Sequence, residues 1–184
     1  MENTQIIKPA LPKEDIIKLI LSTTSGGTAE EKVYLALSTT YGLRRAEMAN
    51  LSQQDLDFEE NTIFIRTKKG GTPRKHLIPS QILNLLCQHD FSRVPSTSYI
   101  SRLFHQIGER AGLTFEKGTS WHSVRHRLNI ELVEAGLSEI MILNFTRHKY
   151  RQSMVSYYYT PELKKLDEDV FRVHPFLKYY KENI

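Results

Sequence analysis

Apolar residues recur at three- and four-residue intervals through most of the chain, which is the pattern of amphipathic α-helices. These intervals and their flanking polar residues predict helical segments over 15–21, 28–40, 44–51, 81–86, 99–111, 120–135, 138–145, 153–159 and 162–171. Thr28 and Glu31 have the spacing of a capping box, Ser120 is a candidate N-cap, and Gly42 ends one periodic segment. Residues 22–28, rich in Ser, Thr and Gly, are predicted to form a loop.

One region has a different period. Residues 62–67 form a short, β-branched and apolar run, which is typical of a β-strand. Gly70, Gly71 and Pro73 indicate a turn, and residues 75–78 predict the returning strand. The fold class predicted from these patterns is mainly α, with one small antiparallel β-hairpin or sheet.

A chain of 184 residues is long enough for one well-cored domain. Residues 1–12 are predicted to be a tail or linker, residues 13–161 the main domain, and residues 162–184 a C-terminal helical tail.

The single cysteine, Cys87, excludes a disulfide framework and a thiolate zinc site. No apolar run has the length of a membrane span or the position of a signal core, so no membrane association is predicted.

The net charge of +4 is small, but the charges are unevenly distributed. Acidic residues concentrate in 55–60 and 162–169, and three basic segments contain no acid. The basic residues of these segments are Arg66, Lys68, Lys69, Arg74 and Lys75, then His122, Arg125, His126 and Arg127, then Arg147, His148, Lys149 and Arg151. Such segregation can give a nearly neutral protein a positive face that binds nucleic acid.

Five short motifs follow one another along the chain. They are Gly-Leu-Arg-x-x-Glu at 42–47, Leu-x-x-x-Asp-Leu-Asp-Phe at 51–58, Lys-x-Gly-x-Pro-Arg at 69–74, His-x-x-Arg at 122–125, and a histidine at 148 followed nine residues later by a tyrosine at 157. In this order and spacing they resemble the tyrosine recombinase (phage integrase) family, over roughly residues 29–159. The resemblance implies that residues 13–161 have the catalytic-domain fold of these DNA breaking-rejoining enzymes.

The resemblance implies a site-specific recombinase or integrase, such as a virus, plasmid or other mobile genetic element encodes. It would cleave and rejoin DNA through a covalent 3′-phosphotyrosyl intermediate. Tyr157 would be the nucleophile, with Tyr158 as the alternative in a run of three tyrosines. Arg44 and Arg125 would bind the non-bridging phosphate oxygens, which guanidinium groups match bidentately.

Three further catalytic roles follow from the resemblance. Lys69, or Lys68 as the alternative, would protonate the departing 5′ oxygen. His122 would take part in proton transfer, and His148 would donate a hydrogen bond to a non-bridging oxygen.

The chain departs from the family pattern at Thr146-Arg147-His148, where relatives usually have Leu-Gly-His. We expect a different turn here, and an added phosphate contact from Arg147. The basic residues predicted to contact DNA outside the catalytic set are Lys68, Arg74, Lys75, Arg127 and Arg147.

No carboxylate cluster or glycine-rich phosphate loop accompanies these motifs, so neither metal nor cofactor is predicted. The expected partners are double-stranded DNA, further copies of the chain in a tetramer, and a DNA-clamping domain upstream, all in the cytoplasm. Residues 162–184 would dock either on a neighbouring protomer or on their own domain. Two alternative functions are topoisomerase IB-like DNA relaxation and a catalytically inactive DNA-binding module.

Overall fold

The computed structural model describes residues 10–67, 71–148 and 162–180. Within these ranges the α-helices are α1 (Lys13–Gly26), α2 (Ala29–Tyr41), α3 (Arg45–Met48), α4 (Ser80–Cys87), α5 (Thr97–Arg110), α6 (Trp121–Glu134), α7 (Glu139–Phe145) and α8 (Leu163–Val173). The strands are β1 (Leu56–Asp57), β2 (Thr62–Ile65) and β3 (Arg74–Leu77). None of the described helices is both long enough and apolar enough to cross a membrane.

Helix α2 begins and ends where the sequence predicts. The Thr28 hydroxyl accepts from the Glu31 amide, and the Glu31 carboxylate accepts from the Thr28 amide at 2.7 Å, which completes the capping box. Gly42 ends the helix with a φ of +62°, a left-handed conformation that glycine adopts at little steric cost. The Ser120 N-cap of α6 is also confirmed, since its hydroxyl accepts from the His122 amide.

The predicted loop over residues 22–28 is wrong in its first part, because α1 continues to Gly26. Thr24 and Ser25 donate their hydroxyls to the carbonyls of Ile20 and Leu21, at 2.7 and 3.0 Å. Polar side chains satisfied in this way are compatible with a helix interior. The predicted segment 44–51 contributes only the short helix α3, and segment 153–159 lies outside the described residues.

The strands form one antiparallel sheet in the order β1-β2-β3. Strands β2 and β3 are the predicted hairpin, with Ile63 opposite His76 and Ile65 opposite Arg74. Side chains alternate across a strand, so Arg74 and His76 point to the buried face while Lys75 is exposed. Strand β1 has only two residues, too short for its alternation to be seen in the sequence.

Helix α2 lies at the centre of the core and contacts α1, α4, α5 and α6. Every residue from Val33 to Tyr41 is buried, as expected for a helix enclosed on all sides. Trp121 at the start of α6 is buried and donates its indole N–H to the Ile100 carbonyl of α5 at 2.7 Å. With Val124 and Leu128 also buried, this contact fixes the rotation of α6 about its axis.

The described C-terminal residues 162–180 pack on their own chain. Helix α8 contacts β3 and α7, and Tyr180 forms a buried hydrogen bond with Thr39 of α2 at 2.6 Å. Buried His174 has Nε2 2.9 Å from the Thr40 carbonyl, and Nδ1 accepts from the Phe176 amide at 3.2 Å. The neutral ring protonated on Nε2 satisfies both contacts. Exchange of this segment between protomers stays a prediction.

Acid should destabilise the fold through His174. Burial lowers the pKa of His174 to about 4 from an ordinary value of 6.5. Stability linked to a lowered histidine pKa is fully present above about pH 6.5 and is lost as the pH falls through about 4. We expect the free energy of unfolding, measured by urea titration, to fall by on the order of 1 kcal/mol per pH unit across this window.

The comparison that isolates His174 uses two variants. His174→Gln should be less stable than the wild type near pH 7 but should lose stability less steeply on acidification. Exposed His105→Gln should retain the wild-type slope. Identical slopes for the wild type and His174→Gln would contradict the assignment.

Candidate active site

Arg44 is held at the start of α3 by the helix itself. Its amide donates to the Glu47 carboxylate at 2.8 Å, and its guanidinium contacts the other Glu47 oxygen at 3.3 Å. Glu47 is buried, whereas the Arg44 side chain is 34% exposed. The three-residue spacing of Arg44 and Glu47 within the sequence motif is therefore the spacing of an N-terminal cap.

Arg44 and His122 line one cleft of about 500 Å³. Its other walls come from α3, α5 and the start of α6, including Ser101, Phe104 and Trp121. His122 is exposed at the first turn of α6, three residues before Arg125. The fold therefore brings together two predicted catalytic residues that are far apart in the sequence.

Arg125 points from α6 into the protein and is only 1% exposed. Its guanidinium donates to the Gly42 carbonyl at 2.7 Å, to the Thr146 carbonyl, and to Nδ1 of His148 at 3.1 Å. Burial is the main cause that lowers the pKa of Arg125 to about 9; the charges of Arg147 and Arg44 also lower it, and Glu47 acts in the opposite direction. The group is thus a buried cation surrounded by neutral acceptors.

His148 is half-buried, and its Nδ1 faces both Arg125 and the Thr146 hydroxyl, the latter at 2.9 Å. A guanidinium only donates hydrogen bonds, so Nδ1 accepts and the neutral ring carries its proton on Nε2. Burial, together with Arg125 and Arg44, lowers the pKa of His148 to about 4. At neutral pH this histidine is therefore an uncharged donor.

Arg147 has a positive φ of +58°, the left-handed conformation that a glycine adopts easily. Glycine would therefore fit this backbone turn without strain, and the expected difference from the turn of relatives stays a prediction. The side chain is 1% exposed and donates to the carbonyls of Tyr41 and Phe145, to Glu47 and to His76, each at 3.1 Å. The predicted phosphate contact does not fit this buried guanidinium.

The other predicted DNA contacts differ in exposure. Arg74 is 5% exposed and donates to the Asp167 carboxylate at 2.6 Å, so its burial does not fit a contact to DNA. Arg127 is partly exposed, with Nε donating to the Leu11 carbonyl at 2.5 Å and Nη1 lying 3.8 Å from Glu131. Lys75 is exposed on the outer face of β3.

Lys68, Lys69, Tyr157 and Tyr158 lie outside the described residues. The described end of the hairpin that carries the two lysines nevertheless reaches the site. A Cβ added at Gly71 would lie 2.8 Å from the Arg147 carbonyl oxygen. The end of the β2–β3 turn therefore packs directly against the segment that carries His148.

Three contributors to the site were not predicted. Gly42 offers its carbonyl to Arg125, and His76 and Asp167 lie behind Arg147. Neither His76 nor Asp167 belongs to a motif, so only the fold could bring them together.

Across residues 10–67, 71–148 and 162–180, no group of three or more His, Cys, Asp or Glu side chains could hold a metal ion.

The mainly helical fold with its small antiparallel sheet is that of tyrosine recombinase catalytic domains. The family model described as "Phage integrase family" matches residues 11–164, and the chain belongs to this family. The predicted family and fold class are confirmed.

Among similar proteins, tyrosine recombinase XerA of Pyrococcus furiosus is 25% identical over 156 residues, which is 76% of this chain and 53% of that protein. The chain spans about half the length of the relatives it matches in this way. The integrase from mycobacterium phage Brujita aligns with a TM-score of 0.72 and 20% identity, covering 99% of this chain and 66% of the integrase. A lambda integrase tetramer bound to a Holliday junction aligns with a TM-score of 0.61 and 17% identity, covering 86% and 50%.

Replacing Gly42 by Ala should destabilise the protein and displace Arg125. The new Cβ would lie 3.2 Å from Arg125 Cγ, in addition to the strain of the left-handed backbone, which is about 1–2 kcal/mol. Gly112→Ala is the matched control, because Gly112 has a φ of +67° but an added Cβ would meet no atom within 4 Å. Urea titrations should show the larger loss for Gly42→Ala. Equal losses would mean that the Arg125 contact is not a constraint.

Proposed function

We propose that this chain is the catalytic domain of a site-specific DNA recombinase. It would cleave and rejoin strands through a covalent 3′-phosphotyrosyl intermediate formed at Tyr157. The observation that supports this best is the convergence of Arg44, Arg125 and His148, with His122 on the same cleft as Arg44. These side chains come from three separate motifs of the sequence.

The charge balance of this cluster favours an anionic ligand. Arg44, Arg125 and Arg147 surround the carboxylate of Glu47, and burial makes uncompensated positive charge unfavourable. A DNA phosphate would supply the missing negative charge. Arg44 and Arg125 would bind its non-bridging oxygens, and the neutral Nε2–H of His148 would donate a further hydrogen bond.

The reaction needs positioning and proton transfer. The Tyr157 phenol would lose its proton, with His122 as a candidate acceptor, and its oxygen would form a bond to phosphorus. The bond to the 5′ oxygen would break, and that oxygen would take a proton from Lys69. The reverse step rejoins the strand, and the phosphodiester energy is kept in the phosphotyrosine bond throughout.

Further partners follow from the family. The relatives are longer than this chain, which supports an upstream DNA-clamping domain in the complete protein. The similar lambda integrase structure is a tetramer bound to a Holliday junction, which supports a tetramer on double-stranded DNA here as well. Exposed Lys75 and partly exposed Arg127 remain candidate DNA contacts. Action on DNA in the cytoplasm completes the proposal.

Covalent capture would test the nucleophile. The chain is incubated with a library of nicked suicide duplexes with randomised centres, and DNA that stays with protein after denaturation is sequenced. We expect the wild type and Tyr159→Phe to capture DNA and Tyr157→Phe to capture none, because Phe lacks the attacking oxygen. Capture by Tyr157→Phe but not by Tyr158→Phe would move the nucleophile by one residue. No capture by the wild type would favour an inactive binding module.

Lysine substitutions would test the phosphate-binding arginines. Lysine keeps the positive charge but cannot form the bidentate contact, so we expect Arg44→Lys and Arg125→Lys to slow single-turnover cleavage by about 100-fold. Arg45→Lys is the matched control, since Arg45 is exposed and contacts Ser101 at 3.0 Å. Its cleavage rate should remain within a few-fold of the wild type. Arg44→Lys with an unchanged rate would remove Arg44 from the mechanism.

A further inference from the structure

A chain of buried polar contacts begins in the C-terminal helix α8. The Asp167 side chain is 1% exposed and accepts from Arg74 Nη2 at 2.6 Å and from the Leu77 amide at 2.8 Å. Its Oδ1 also lies 3.1 Å from Nδ1 of His76. One carboxylate of α8 is therefore bound to two side chains and one backbone amide of β3.

His76 connects the Asp167 carboxylate to Arg147. Nδ1 faces a carboxylate that only accepts, and Nε2 faces Arg147 Nη1, which only donates, at 3.1 Å. The neutral ring with its proton on Nδ1 is the single form that satisfies both contacts. Burial lowers the pKa of His76 to about 4, which agrees with the neutral form. His76 is thus one of the four acceptors that hold the Arg147 guanidinium in place.

Arg147 connects this series of buried contacts to the candidate active site. Its Nη2 donates to Glu47 Oε2 at 3.1 Å, and the same Glu47 oxygen accepts from the Arg44 amide at 2.8 Å. The other Glu47 oxygen contacts the Arg44 guanidinium at 3.3 Å. An unbroken series of side chains therefore runs from Asp167 to the exposed end of Arg44.

We propose that Arg147 is a positioning residue that links Asp167 of α8, through His76 and Glu47, to the orientation of Arg44. The proposal rests on the function proposed above, in which Arg44 binds the scissile phosphate. This chain would use the arginine to make the geometry of its phosphate site depend on the docking of its C-terminal helix.

The network is suited to this role because Asp167, Arg147 and Glu47 are buried and charged. Removing one partner from a buried ion pair leaves the other charge uncompensated, so its neighbours must rearrange. Removal of Asp167 affects the contacts of both Arg74 and His76, and removal of Arg147 leaves Glu47 bound to Arg44 alone. Glu47 would then be free to change the rotamer by which it holds Arg44.

The test uses Asp167→Asn, Arg147→Gly and the control Asp169→Asn. The glycine relieves the positive φ of Arg147, so the turn itself should persist. Asp169 lies on the same helix and forms a local ion pair with exposed Arg172 at 3.2 Å. In each folded variant, 15N relaxation of the arginine Nε–H groups reports the order of the Arg44 side chain without DNA. Single-turnover cleavage of a captured suicide duplex reports the reaction.

We expect Arg44 to lose order in Asp167→Asn and Arg147→Gly and to remain as in the wild type in Asp169→Asn. Cleavage at saturating protein should fall at least about ten-fold in the first two variants, with DNA affinity within about two-fold. The double variant Asp167→Asn with Arg147→Gly should be no slower than the slower single variant, because both break one pathway.

An unchanged Arg44 signal in both network variants would overturn the proposal, even if they unfold more easily. Additive losses of rate in the double variant would also contradict it, since they indicate two independent effects. If the wild type cleaves no DNA, the proposed function fails, while the Arg44 relaxation data still decide whether the linkage exists.

Discussion

The buried guanidinium of Arg147 is the constraint on which much of the structure around the candidate site depends. It bonds the C-terminal end of α2 through the Tyr41 carbonyl, α3 through Glu47 and β3 through His76. Burial separates the two Nη groups of Arg147 from water, so protein acceptors satisfy them instead. Helix α2, helix α3 and the sheet are therefore held in one arrangement, and that arrangement places Arg44 beside Arg125.

The arginines around the candidate site differ in the groups that they contact. Arg74 and Arg147 are turned inward and meet carboxylates, whereas Arg44 keeps a third of its side chain exposed to the cleft. Arg125 is as buried as Arg147, but its guanidinium donates to backbone carbonyls and to the neutral His148. Arg44, which shares the Glu47 carboxylate with Arg147, lines the cleft, where a phosphate could complete its coordination.

Short-range patterns in the sequence were sufficient to predict several secondary-structure elements. The capping box at Thr28 and the glycine at Gly42 fixed the limits of α2, because caps satisfy backbone groups within a few residues. The motif around Arg44 and the His-x-x-Arg spacing at His122 located residues that do converge. The returning strand was also predicted, although the polarity of Arg74 and His76 gave no sign that they lie on a buried face.

What the sequence could not provide was the partner of each buried charge. Arg74 and Arg147 were interpreted as DNA contacts because clusters of basic residues are usually exposed, and the decisive carboxylates lie in distant segments. Asp167 belongs to the acidic segment 162–169, for which the sequence indicated no partner, yet its carboxylate holds α8 on the sheet. The role of a buried charge can therefore be predicted only when its partner is known. Glu47 neutralises Arg147, and this pairing leaves Arg44 and Arg125 with positive charge that a phosphate could neutralise.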